Sequence, residues 1–272
     1  MSRMKKAVPR QADLADRHEL YEASVQDTET ELEFVAETFA SLSGRRLRRI
    51  REDFCGTANT ACAWVRSGDD HEAVAVDLDG DVLAWGKDRH AGALSSTEQK
   101  RLEMRNEDVL KVECEPVDAV LAMNFSYYLF TTRELLRQYF ERARAALVDD
   151  GVLFLDAFGG YDAHRELEER TEYDDFTYVW DQASFDPIGH HMTCLIHFEF
   201  PDGSEMKNAF TYHWRLWTLP EIRELLLEAG FSTATIYWEG TDEETGEGDG
   251  IYSPAETGDA DAGWICYIVA RR

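Results

Sequence analysis

The chain has few of the residues that mark secreted, membrane-spanning or nucleic-acid-binding proteins. Its 272 residues include five cysteines, at 55, 62, 114, 194 and 266, without a Cys-x-x-Cys pair. Scattered and odd in number, they exclude a disulfide-built scaffold and read as reduced thiols of a cytoplasmic protein. No apolar run reaches the roughly 18 residues of a membrane span, and basic Met1 to Arg10 has no apolar stretch behind it, so neither a span nor a secretory leader is expected. Lysine is scarce, with six among 28 basic residues. Against these stand 54 acidic residues and a net charge of −26. Such a surface lacks the basic face that displaces counterions from a phosphate backbone, which excludes a broad nucleic-acid footprint and favours a small or cationic partner. Self-repulsion of this size weakens a compact state unless ions screen it, so the acidic, Lys-poor composition predicts salt adaptation.

Glycine is also sparse where a nucleotide fold would show it. Arg51-Glu52-Asp53-Phe54-Cys55-Gly56-Thr57-Ala58 sits between a first strand and a helix beginning near Asn59, and it contains only Gly56. A dinucleotide fingerprint needs three glycines at fixed spacing, so a nicotinamide cofactor is disfavoured. Gly56, with small Thr57 and Ala58, still lets backbone approach a ligand, and the new helix offers unpaired N–H groups to a carboxylate or phosphate. A second strand, His71 to Asp79, ends in acids; Asp77 stands at the distance after the glycine, about 20 residues, from which a carboxylate accepts hydrogen bonds from both ribose hydroxyls. A third strand ends in Asn106-Glu107-Asp108-Val109-Leu110. A fourth, Val117 to Asn124, runs into Phe125-Ser126-Tyr127-Tyr128.

In this order, the glycine turn, the acids after strands two and three and the Asn-aromatic step after strand four resemble class I S-adenosylmethionine-dependent methyltransferases. The resemblance covers residues 45 to 158 well and 218 to 272 more loosely. Their first motif usually ends Cys-Gly-Thr-Gly; here it is Cys55-Gly56-Thr57-Ala58. The resemblance implies an α/β fold, a seven-stranded Rossmann-like sheet, here with an antiparallel β insertion, and S-adenosyl-L-methionine as cofactor. It implies backbone contacts to the methionine end from Phe54, Cys55, Gly56 and Ala58, with Glu52 receiving its ammonium. Asp77 would hold the ribose, Leu78 and Val109 the adenine faces, and Asp108 its amine. Asn124 would lie near cofactor or substrate, with Phe125, Tyr127 and Tyr128 turned to the sulfonium. Tyr21 matches a residue that folds over the cofactor in small-molecule members.

The first strand departs from that family, because Arg48, Arg49 and Arg51 occupy a normally apolar strand and Asp53 a normally aliphatic position. Buried charge needs partners. Arg51 either pairs with Glu52 and Asp53 or holds the cofactor's carboxylate.

Residues 1–43 are expected as a helical cap, with Leu14, Leu20, Leu32, Phe34, Val35 and Phe39 inward and Asp27 and Gly44 capping a second helix. Residues 44–158 and 218–272 form the expected cofactor-binding core, and 159–217 an antiparallel insertion covering substrate, with strands from 176 to 185, 192 to 200 and 206 to 217. Glu239 to Gly263, acidic and glycine-rich, reads as a mobile flap. His190, His191, Cys194 and His197 suggest a metal, but on a strand Cys194 and His197 point to opposite faces, so none is expected. The implied function is methyl transfer to nitrogen or oxygen of a small-molecule acceptor, away from nucleic acid and membrane. An oxygen acceptor would want a base such as His164, His197 or His213. Aminopropyl transfer from the decarboxylated cofactor, or cofactor binding without turnover, are the rival readings.

Overall fold

The computed structural model of the protein describes residues 9–242, 245, 246 and 248–272. They divide into two compact units, one made of the residues up to Gln26 with Asp162–Leu216, the other of Asp27–Tyr161 with Trp217–Arg272. The chain opens in the smaller unit with helices α1 (Gln11–Leu14) and α2 (Arg17–Val25), then enters the larger with α3 (Thr28–Ser43). Asp27 starts α3, its side chain accepting from Thr30 N–H, and Gly44, at φ 72°, ends it. The expected boundary at residue 43 thus falls earlier, between Gln26 and Asp27. The reason is the face of α3 bearing Leu32, Val35 and Phe39, which packs into the core of the larger unit. Leu14 was expected inside and is 72% exposed.

The larger unit continues through β1 (Arg49–Asp53), α4 (Asn59–Ser67), β2 (Glu72–Asp77), α5 (Gly80–Arg89), β3 (Leu102–Asn106), β4 (Val117–Ala122), α6 (Arg133–Ala146) and β5 (Leu147–Gly159). Strand and helix alternate, so β1 to β5 lie parallel, as crossover connections require. The chain then forms β6 (Leu167–Glu172), β7 (Thr177–Phe185), β8 (His191–Glu199) and β9 (Glu205–Arg215) of the smaller unit. It returns with α7 (Leu219–Glu228), β10 (Thr233–Thr241), β11 (Gly248–Ala255) and β12 (Trp264–Arg271). The large sheet has the order β11-β10-β12-β5-β4-β1-β2-β3, one strand more than the seven expected. The addition is β11, an edge strand paired with β10 where a flap was anticipated; its glycines and acids hid the pattern.

Strand order reverses between β1 and β4, and ligands of open α/β sheets bind outside the carboxyl ends of strands at such a switch. The arginines around the start of β1 find acids: Arg45 pairs with Asp118 at 2.8 Å and Arg48 with Asp70 at 3.2 Å, while Asp118 also accepts the main-chain N–H groups of Arg48 and Arg49, both at 3.0 Å. Two helices that flank the sheet are set by local chemistry: α6 buries Leu136, Tyr139, Phe140 and Ala143 along one face, and α7 begins with a reciprocal Thr218–Glu221 capping box.

In the smaller unit β6 to β9 form an antiparallel meander in that order. β6 escaped the sequence reading because Leu-Glu-Glu-Arg-Thr-Glu is an exposed edge without apolar alternation. Phe176, Ile196, Phe198, Phe200 and Ala209 make its core, with Leu20 and Tyr21 packed against them.

Candidate active site

β1 leads into a turn in which Phe54, Gly56 and Ala58 all have left-handed backbone, with φ of 57°, 53° and 58°. For a residue with a side chain that conformation costs about 1–2 kcal/mol, so the turn must be held from outside. Two bonds tie it to the end of β2: Cys55 N–H donates to the Val76 carbonyl at 3.0 Å, and Gly56 N–H donates to Asp77 Oδ2 at 2.8 Å. Helix α4 receives no cap from Ala58; Glu52 supplies it, with Oε2 accepting Ala61 N–H at 2.8 Å. Helix α5 presses on the same turn at Gly86, where an added Cβ would lie 1.9 Å from the Thr57 carbonyl oxygen. That helix needs a glycine at its closest approach.

Charge gathers on this rim. Withdrawal from water pushes the Glu52 carboxyl up to about 8, with the Asp77 carboxylate adding repulsion and the Ala61 N–H opposing. Asp77 is raised above the ordinary carboxylate range, chiefly by burial, while N–H groups of Asp79, at 2.9 Å, and Gly56 oppose the shift. A cation between the two acids would relieve both.

The loop after β3 is fastened to the same place. Asn106 Nδ2 donates to the carbonyls of Asp77 and Leu78, at 3.2 and 2.9 Å, and Glu107 N–H to that of Asp77 at 3.1 Å. Asp77, Leu78, Asp108 and Val109 therefore share one rim. Leu78 is 73% exposed, an apolar side chain with little covering it, whereas Val109 is buried. Leu110 N–H at 3.0 Å and the Lys111 ammonium at 3.1 Å hold Asp108 below its usual range, leaving an ionised acceptor.

Across the switch, Asn124 and Phe125 are again left-handed, with φ of 57° and 56°. Asp156 of β5 clamps them: Oδ2 accepts Asn124 N–H at 2.7 Å and Oδ1 accepts Phe125 N–H at 2.8 Å. Burial pushes its carboxyl up to about 7, against those two bonds. The sequence reading missed Asp156, although an acid inside Val-Leu-Phe-Leu-Asp-Ala-Phe was the available signal. Tyr127 and Tyr128, expected to face a ligand, are 0% exposed, with hydroxyls donated to the carbonyls of Asp156 (2.8 Å) and Phe158 (3.3 Å). They are packing residues here; of that aromatic trio only Phe125 is half-buried.

Arg51 stands apart as well. Alternation along β1 puts Arg51 and Asp53 on the face opposite Glu52; each is 1% exposed, and Arg51 Nη2 lies 2.9 Å from Asp53 Oδ2. Of the two roles open to Arg51, the geometry gives it the ionic network and leaves its guanidinium out of a ligand's reach. Tyr21 belongs to the smaller unit, where its ring packs on Phe210 at 4.9 Å between centroids. There, too, His197 is committed: Nδ1 accepts Asn208 N–H at 2.8 Å and Nε2 lies 3.3 Å from Asp181 Oδ2.

The architecture is the Rossmann-like fold of class I methyltransferases. Solved structures that share it include three methyltransferases. An S-adenosylmethionine-dependent methyltransferase from Clostridium acetobutylicum superposes with a TM-score of 0.67 at 14% identity, over 93% of this chain and 96% of that one. A SAM-bound amino pentose methyltransferase of calicheamicin biosynthesis from Micromonospora echinaspora gives 0.66 at 15%, over 98% and 99%. A sugar N-methyltransferase from Streptoalloteichus gives 0.63 at 17%, over 100% and 96%. No family model matches the sequence, and no curated protein does either. The likeness is thus one of fold.

Proposed function

We propose that the protein is an S-adenosylmethionine-dependent methyltransferase acting on nitrogen of a small, cationic acceptor. The observation that supports this reading is the 2.8 Å bond from Gly56 N–H to Asp77, which joins the close-approach turn to the ribose-type acid at the carboxyl ends of β1 and β2, beside the switch point. The rim suits the cofactor in charge and hydrogen-bonding groups. Glu52, poised near 8, receives an ammonium; Asp77 keeps lone pairs free for hydroxyls beside its two main-chain donors; exposed Leu78 offers an apolar face, with Asp108 an acceptor for an exocyclic amine. The cofactor supplies an electrophilic methyl on a sulfonium. The protein's task is then alignment and exclusion of water.

The acceptor class follows from the acids and rings near Asp156. Glu31 of α3 is pushed up to about 8 by withdrawal from water and by the carboxylates of Asp156 and Glu52. One turn along, Phe34 stacks on Tyr267 at 4.3 Å, and Tyr252 meets Tyr267 at 4.6 Å. Once ionised, carboxyls beside aromatic faces attract a protonated amine and can take its proton, leaving the nitrogen lone pair free. The test is turnover with S-adenosylmethionine and a panel of small amines, followed by product mass. A gain of one CH2 unit is expected. A larger gain from the decarboxylated cofactor would mean aminopropyl transfer, and binding of S-adenosylhomocysteine without any product would mean a regulator.

A further inference from the structure

The buried ion pair of β1 lies outside the roles assigned so far. Arg51 Nη2 donates to Asp53 Oδ2 at 2.9 Å, and the Tyr139 hydroxyl of α6 donates to the same oxygen at 3.0 Å. Arg51 and Asp53 are 1% exposed and Tyr139 is 0% exposed. Yet Arg51 Nε and Asp53 Oδ1 have no hydrogen-bond partner among the described residues. A charged pair taken out of water and left half satisfied is poor value for stability; apolar side chains of similar volume serve as well or better.

What apolar side chains could not supply is a directional link from α6 to the strand end. Asp53 immediately precedes Phe54, the first left-handed residue of the turn, and the Phe54 ring rests on Tyr139, at 5.4 Å, and on Phe130, at 6.0 Å. Phe130 in turn stacks on Tyr139 at 5.3 Å and its carbonyl accepts the Trp217 indole N–H at 3.2 Å. The chain of contacts runs from α6 through Tyr139 and Asp53 to Phe54, two residues before the N–H that Asp77 holds.

We infer that Arg51, Asp53 and Tyr139 are positioning residues that fix the Phe54–Gly56 turn in its ligand-ready conformation, and so set cofactor affinity instead of fold stability. The inference rests on the proposed function for its ligand, and on its own geometry for the turn. Two variants test it: the triple apolar replacement Arg51→Met, Asp53→Leu, Tyr139→Phe, and the single change Tyr139→Phe, which removes one hydrogen bond and keeps the ring.

Three quantities are read: thermal midpoint, amide hydrogen exchange at Cys55 to Ala58 without ligand, and calorimetric affinity for S-adenosylhomocysteine. Expected are a midpoint equal to or above wild type for the triple variant, faster exchange confined to the turn in both variants, and affinity weakened roughly tenfold or more in the triple variant, the scale of one unpaid strained residue. In turnover, KM for S-adenosylmethionine rises while kcat holds. A triple variant that fails to fold, or unaltered exchange at the turn in Tyr139→Phe, overturns the inference. Wild-type protein that binds no S-adenosylhomocysteine overturns the proposed function, and the exchange data still decide the role of the network.

Discussion

Asp77 is the residue whose loss should be felt most directly, and Asp77→Ala separates two jobs. In the ligand-free protein its carboxylate accepts two main-chain bonds, from Gly56 N–H at 2.8 Å and Asp79 N–H at 2.9 Å. A hydrogen bond to a charged group contributes about 1.5–3 kcal/mol when shielded; Asp77 is only half-buried, so the lower end applies and the two together amount to roughly 3 kcal/mol at most. Under the proposed function its bonds to the ribose hydroxyls are lost as well, and even one such charged bond weakens cofactor affinity by roughly 10- to 150-fold. Asp77→Asn retains one acceptor oxygen but turns an NH2 toward one of the two N–H groups, so it should fall between wild type and Ala on both scales. The assay pairs calorimetric titration of S-adenosylhomocysteine with thermal unfolding of each variant. A folded Asp77→Ala protein with wild-type affinity would remove Asp77 from the site and with it the central element of the proposed function.

Gly86→Ala should lower the thermal midpoint by several degrees: helix propensity favours Ala by about 1 kcal/mol, but the new Cβ would sit 1.9 Å from a main-chain oxygen that cannot swing away, an overpacking cost of about 3 kcal/mol or more. A variant as stable as wild type would refute that close approach. Stability should also fall as pH rises from about 5 to 8, because Glu31 and Glu52, near 8, and Asp156, near 7, keep protons in the folded state that the unfolded chain has already released. Urea midpoints across that range, shallower in Glu52→Gln, check the sign. Raising KCl from dilute to molar should raise the midpoint, since a charge of −26 repels itself least under screening; equal stability at both would end the case for salt adaptation.

The parallel half of the fold was legible because its signals are local and periodic. Apolar runs ending in polar residues gave β2 and β4, capping residues gave the ends of α3 and α7, and Pro-Asp-Gly-Ser gave the turn between β8 and β9. The strands that escaped, β6 and β11, are edges, where one or both faces meet water and no alternation is imposed. For the candidate site, the sequence pointed to the glycine turn and the acid after β2 by spacing alone. It could not say that Tyr127 and Tyr128 are sealed inside, since burial depends on how β5 and α6 pack around them. Nor could it decide the partner of Arg51, because that choice turns on Tyr139, far along the chain on α6, reaching Asp53. Asp156 was overlooked for the converse reason: within an apolar strand its only visible property was being out of character.

Under the proposed function, the bond between Gly56 and Asp77 bears on kinetics as well as affinity. A loop that must fold around its guest spends binding energy on ordering, and encounters often fail while it does so. Here the cradle is already closed on one of its own walls before any guest arrives, so capture should be limited by diffusion and orientation. Differences in grip among related ligands should then be found in how slowly each one leaves.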